Sequence, residues 1–153
     1  MQTIKDFQKF LAAVREATGI QDMTADDGGL LSVRVDDSYT VNLQFIETTA
    51  RVLCFIEVAE IPEGAPARLY RELLAAGLFG QETAGGYFAI EDESGTLIYN
   101  YFFDGDRIES DPEEFVSALE KILQLCDLWA DRVNVILSEE HVQTGMASGD
   151  LHL

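Results

Sequence analysis

The chain has 153 residues, enough for one domain with a real core, and 47% of them are apolar. Twenty-eight acids against ten bases give a formal net charge of −18, a surface that repels phosphate backbones and anionic lipid and so argues against nucleic-acid and membrane-surface binding. No apolar run approaches the ~20 residues that span a bilayer, and Met1-Gln2-Thr3-Ile4-Lys5-Asp6 lacks the basic-then-apolar order of a secretory signal, so the expectation is a cytoplasmic protein without membrane insertion.

The first predicted element is a helix, because Ile4, Phe7, Phe10, Leu11 and Val14 recur at helical spacing. Thr3 is placed to cap it, Asp6 suits the positive end of its dipole, and Gly19 offers a left-handed stop. Residues 21–29, with Asp22, Asp26 and Asp27, read as a solvated loop. Three strands follow. Leu31, Val33 and Val35 alternate with Ser32, Arg34 and Asp36, and Tyr39, Val41, Leu43 and Phe45 alternate with Thr40, Asn42 and Gln44. Such alternation means one wet face. Residues 51–59 are apolar on both faces and read as the central strand of an antiparallel meander.

Pro66 suits the first turn of a second helix, whose apolar stripe is Leu69, Tyr70, Leu73, Leu74 and Leu78. Residues 87–91 and 97–103 then form a hairpin with its turn at Glu93-Ser94-Gly95. Asp111-Pro112-Glu113-Glu114 combines a cap, a proline at the first helical position and an acid in the first turn. Phe115, Leu119, Ile122, Cys126, Trp129, Val133 and Ile136 make the long last helix amphipathic. Its expected end is near Leu137 or Ser138. The fold class is therefore α+β, in the order α-β-β-β-α-β-β-α, with helices on a curved antiparallel sheet. Residues 1–138 form the expected single domain, and residues 139–153 a flexible tail.

Little of this sequence is suited to catalysis. His141 and His152, the two histidines, both fall in the expected tail, where a general base has no fixed position. Cys54 and Cys126 sit in apolar runs and read as buried thiols. No zinc, nucleotide or nucleophile-elbow motif occurs. Asp26-Asp27-Gly28-Gly29 and Asp104-Gly105-Asp106 do not match the spacing of calcium ligands, and turn chemistry explains both. Glu91, Asp92 and Glu93 read as a charged hairpin tip. No cofactor or metal is expected. What remains is apolar surface for binding protein, and an acidic exterior that keeps it soluble and attracts a basic partner.

One block is familiar. Leu73-Leu74-Ala75-Ala76-Gly77-Leu78-Phe79, Gly85-Gly86-Tyr87-Phe88-Ala89-Ile90, Asp92, the strand Leu97-Ile98-Tyr99-Asn100-Tyr101 and the helix from Phe115 to Trp129 resemble the Tir chaperone (CesT) family of class I type III secretion chaperones. The resemblance spans roughly residues 3–137. That family often has Asn where Gly77 stands, and a left-handed helix stop would explain either residue.

The resemblance implies a homodimer that holds the N-terminal segment of a secreted effector in extended form, with no nucleotide. It places the dimer interface on Leu73, Leu74, Leu78, Tyr87 and Phe88, and client patches on Phe7, Phe10, Val33, Val41, Leu43 and Phe45. A chaperone-like adaptor or regulatory module outside secretion is the alternative, and a small carboxylate enzyme a third possibility.

Overall fold

The computed structural model describes residues 1–35 and 37–150, with side chains described as far as Glu139. Asp36, assigned above to a wet strand face, lies outside the described residues, as do residues 151–153.

Helix α1 spans Ile4–Thr18. The Thr3 hydroxyl accepts from the Asp6 N–H at 3.2 Å, and the Asp6 carboxylate accepts from the N–H groups of Gln2 and Thr3 at 2.9 and 3.1 Å. These bonds satisfy amides that the first turn leaves free. They also hold the Asp6 carboxyl below its ordinary range, the Gln2 amide contributing most. Gly19 ends the helix in the left-handed conformation, as its sequence position implied.

Five strands form one antiparallel sheet: β1 Leu30–Val35, β2 Tyr39–Ile46, β3 Arg51–Glu60, β4 Tyr87–Glu91 and β5 Thr96–Asp104, in the order β1-β2-β3-β5-β4. Strand β3 is central, and β1 and β4 are the two edges. Register places Leu31 beside Leu43, Leu43 beside Cys54, and Cys54 beside Tyr101 on one face. That face packs against α1 and the last helix. Phe7 stacks on Phe45 at 5.4 Å, and Phe115 meets Phe10 and Phe103 edge-on at 5.1 and 4.9 Å. Such geometries let aromatic quadrupoles attract as well as fill volume. The opposite face exposes Ser32, Arg34, Arg51 and Glu57, with the Arg51 guanidinium 4.1 Å over the Phe102 ring.

Helix α2 covers Ala67–Ala76, followed by a single 3-10 turn at Leu78–Gly80. Pro66 stands one position before the helix, as its N-cap. Helix α3, Gly105–Ser110, is a short element that the sequence reading did not separate from the loop. Helix α4 runs Pro112–Asp150, so its backbone continues past the end expected near Leu137 or Ser138. The tail expected at 139–153 falls, beyond Glu139, outside the described side chains.

Two local expectations are corrected. The loop at 21–29 is not wholly solvated, since Met23 and Ala25 are buried in the core. Gly77 is right-handed, with φ −75°, so it is not the left-handed stop. That conformation falls two residues later, on Phe79 at φ 58°. The 3-10 turn carries the chain past Gly77 before it reverses.

Candidate protein-binding surfaces

The Gly-Gly pair is explained by its neighbours. Thr83, fully buried, donates from its hydroxyl to the Gly86 carbonyl at 2.7 Å, and the Tyr99 hydroxyl donates to the Thr83 carbonyl at 2.7 Å. A Cβ on Gly86 would collide with the Asn100 carbonyl and the Tyr99 hydroxyl. The loop into β4 is thus locked onto β5. Burial holds the Tyr99 hydroxyl well above the ordinary tyrosine range, so it remains a proton donor to Thr83. Phe88 completes the lock, meeting Tyr99 at 5.7 Å and Trp129 of α4 at 5.3 Å. The Trp129 indole N–H donates to the Glu82 carbonyl at 3.4 Å.

An exposed apolar stripe lies beside this lock. Helix α2 turns Leu69, Leu73 and Ala76 inward. One residue further round, Tyr70 and Leu74 step by four along its outside, and Leu78 follows in the 3-10 turn. Leu74 is 80% exposed, Leu78 64% and Phe79 87%. The Gly85 N–H donates to the Gly80 carbonyl at 2.9 Å, which ties the 3-10 turn to the start of β4. There Tyr87 and Ile90 are exposed as well. Strand β4 pairs with β5 on one side only, so its outer N–H and C=O groups face outward. Two ion pairs hold α2 to α4, Glu72 with Arg132 at 2.5 Å and Arg68 with Glu139.

Of the residues expected to pair subunits, Leu74, Leu78 and Tyr87 are therefore exposed, Phe88 is half-buried against Tyr99 and Trp129, and Leu73 is core. Phe79 belongs with the exposed group, although the resemblance did not point to it. Its signal is an aromatic residue just past a helix end, where no following turn covers it.

The second surface is a cleft of about 690 Å³ between the C-terminal half of α1 and the middle of α4. Val33, Val41 and Leu43 form its floor. Val14, Ile20 and Met23 wall one side, and Val116, Leu119 and Leu123 of α4 the other. At the rim the Tyr39 hydroxyl donates to Asp127 at 2.7 Å. Burial, then that carboxylate, raises the Tyr39 pKa, so the hydroxyl keeps its proton. The lining contains two carboxylates, Glu120 and Asp127, and no lysine or arginine.

The six expected client residues thus divide. All six are buried: Val33, Val41 and Leu43, with exposures of 8, 1 and 0%, lie at the base of the cleft, while Phe7, Phe10 and Phe45, with 0, 3 and 3%, lie in the aromatic core away from it. Those three rings fill the junction of α1, β2 and α4, and none is open to a ligand in this structure. The contribution of α4 to the cleft went unread because its Phe115–Ile136 stripe was already assigned to the core. Leu119 of that stripe also lines the cleft, and Val116 and Leu123 beside it show that the apolar face is wider than the stripe.

The carboxylates at the hairpin tip serve the turn. Glu91 accepts from the Ser94 hydroxyl and amide at 2.6 and 2.7 Å, and these bonds lower its pKa. Asp26 accepts from the amides of Gly28 and Leu30, and Asp104 from that of Asp106. Burial pushes the thiols of Cys54 and Cys126 up to about 12, far from the thiolate form that reacts. Among the described residues no group of three or more His, Cys, Asp or Glu side chains is placed to hold a metal, and no helix is long and apolar enough to cross a membrane.

The fold, a five-stranded antiparallel sheet with its helices, is shared with known proteins. Residues 9–130 match the Tir chaperone protein (CesT) family. The chain belongs to that family. It is a family of chaperone proteins, and the fold agrees with solved members of the type III secretion class. A chain of the ExsC–ExsE complex superposes with a TM-score of 0.72 at 18% identity, over 86% of this chain and 96% of that one. A chain of the HopA1–SchA chaperone–effector complex gives 0.63 at 17% identity, over 84% and 92%. The Yersinia pestis type III secretion chaperone SycH, solved with a fragment of YscM2, gives 0.57 at 15% identity, over 78% and 98%. At these identities the likeness shows a common fold. No curated protein sequence matches the chain.

Proposed function

We propose that this protein is a type III secretion chaperone that binds the N-terminal segment of an effector in extended, non-globular form and keeps it soluble and competent for export. The apolar cleft floored by Val33, Val41 and Leu43, in a CesT-family fold, carries this reading. A disordered client segment gains order and buries apolar side chains there together. Several solved relatives of this fold are chaperone–effector complexes, which supports the same reading. The working unit is a homodimer, paired through Leu74, Leu78, Phe79 and the β4 edge with Tyr87. Exposed apolar residues in such a group are what an interface core requires. The protein is a binder and not an enzyme, acting in the cytoplasm through a single domain of residues 1–138. Buried thiols and turn-bound carboxylates support the absence of a nucleophile or acid–base pair.

Co-purification with the products of neighbouring genes, intact and N-terminally trimmed, tests the proposal. Light scattering is expected to show a dimer bound to one intact effector, and no complex once its N-terminal segment is removed. A monomer, or a complex indifferent to trimming, would overturn it.

A further inference from the structure

The cleft has a chemical asymmetry that bears on which segments it accepts. Along α4, Val116, Leu119 and Leu123 face into it. Glu120, Gln124, Asp127 and Asp131, spaced by four, three and four, form a second stripe beside them, and all four are exposed. Glu120, Gln124 and Asp127 lie on the cleft rim itself. Tyr39 stands across that rim, bonded to Asp127 and within the field of Asp131. With no cation in the lining, these charges are not neutralised from within the cleft.

We propose that the cleft selects a client segment in which aliphatic side chains alternate with basic ones, the aliphatic groups entering between α1 and α4 and the basic groups pairing with Glu120 and Asp127. This rests on the chaperone reading above and names the chemistry of its client. Spacing supports it. Glu120 and Asp127 are seven residues apart on a helix, or about 10 Å at ~1.5 Å per residue. An extended segment rises ~3.3 Å per residue and returns to the same side at every second one, so same-side residues four apart stand about 13 Å from each other. Two basic residues four apart therefore share the side that meets the two carboxylates, the reach of an arginine side chain taking up the difference in spacing, while the aliphatic residues between them turn towards the cleft. Each pair is partly solvated and contributes modestly, so the two together give about fivefold in affinity, decreasing with salt.

The test uses the full chain and three labelled synthetic peptides sharing one leucine- and valine-rich pattern. They carry two arginines, two glutamines or two glutamates four positions apart, on one side of the extended segment, and binding is read by fluorescence anisotropy. The arginine peptide is expected to bind about fivefold tighter than the glutamine peptide, and the glutamate peptide more weakly than either. Glu120→Gln with Asp127→Asn keeps shape and the acceptor for Tyr39, and is expected to abolish the preference. Asp92→Asn with Glu93→Gln removes the same charge from the distant hairpin tip and is expected to preserve it. Equal affinity for the three peptides, no binding of the arginine peptide, or a preference lost equally in both double variants would overturn the proposal. An effector complex that survives Glu120→Gln with Asp127→Asn unchanged would overturn it while leaving the chaperone reading intact.

Discussion

At Gly86 the backbone passes so close to Tyr99 and Asn100 that no side chain fits. Gly86→Ala must push β4 off β5 or break the Thr83–Tyr99 bond, and a forced shift of this kind costs ~1–3 kcal/mol. The expected outcome is a lower urea midpoint with an unchanged slope. Met1 offers a different probe. Its ammonium group bonds to Asp106 at 2.7 Å and Glu109 at 2.9 Å. The Asp106 bond, then the Glu109 bond, raises its pKa from 8.0 to about 10. A raised pKa in the folded state means the amine contributes its full stabilisation below pH 8 and loses it as pH rises through 10. Melting temperature should therefore fall across that window, and Asp106→Asn should flatten the fall. An identical slope in wild type and variant would show that the amine contributes nothing. The Gly-Gly pair was legible as a motif, but the reason for it was not. The collision at Gly86 involves residues thirteen and fourteen positions away, brought there by strand pairing.

Helix α2 shows how one element serves both the core and a surface. Leu73 and Leu74 are adjacent and chemically identical, yet Leu73 is buried and Leu74 is 80% exposed. Leu73→Ala should destabilise each subunit by about 2–5 kcal/mol through lost burial and a cavity. Leu74→Glu with Phe79→Glu should leave subunit stability nearly unchanged. It should weaken pairing by ~2 kcal/mol or more, a roughly thirtyfold rise in the dimer Kd. Denaturant melts and analytical ultracentrifugation separate the two effects. If the exposed pair leaves the sedimentation coefficient unaltered, the interface lies elsewhere. Phe79 also holds a left-handed backbone, which costs a residue with a Cβ ~1 kcal/mol or more. Periodicity in the sequence located α2 and its stripe. It did not divide the stripe, because Leu69, Tyr70, Leu73 and Leu74 together cover an arc wider than the contact with the sheet and α4.

The molecule as a whole is governed by its charge. With a net charge of −18, the folded chain repels itself, and salt screens that repulsion over ~8–10 Å. Its urea midpoint should rise between low and physiological ionic strength, whereas client binding to the acidic rim should weaken over the same range. A midpoint independent of salt would mean that local pairs, such as Arg107 with Glu114 at 2.6 Å, already offset the repulsion. The sequence by itself determined the strand order along the chain, the caps of α1 and α4, the central character of β3 and the acidic exterior. Each of these depends on local periodicity, on a cap within one turn, or on composition. Only the tertiary structure decided which apolar residues are surface. Phe10 became core because Phe115, far along the chain, packs edge-on against it, whereas Val33, Val41 and Leu43, equally buried, came to lie at the base of a cleft lined by residues of α1 and α4, with Leu74, Leu78 and Phe79 left outside. Burial depends on what packs opposite a residue, and that partner lies in another part of the sequence.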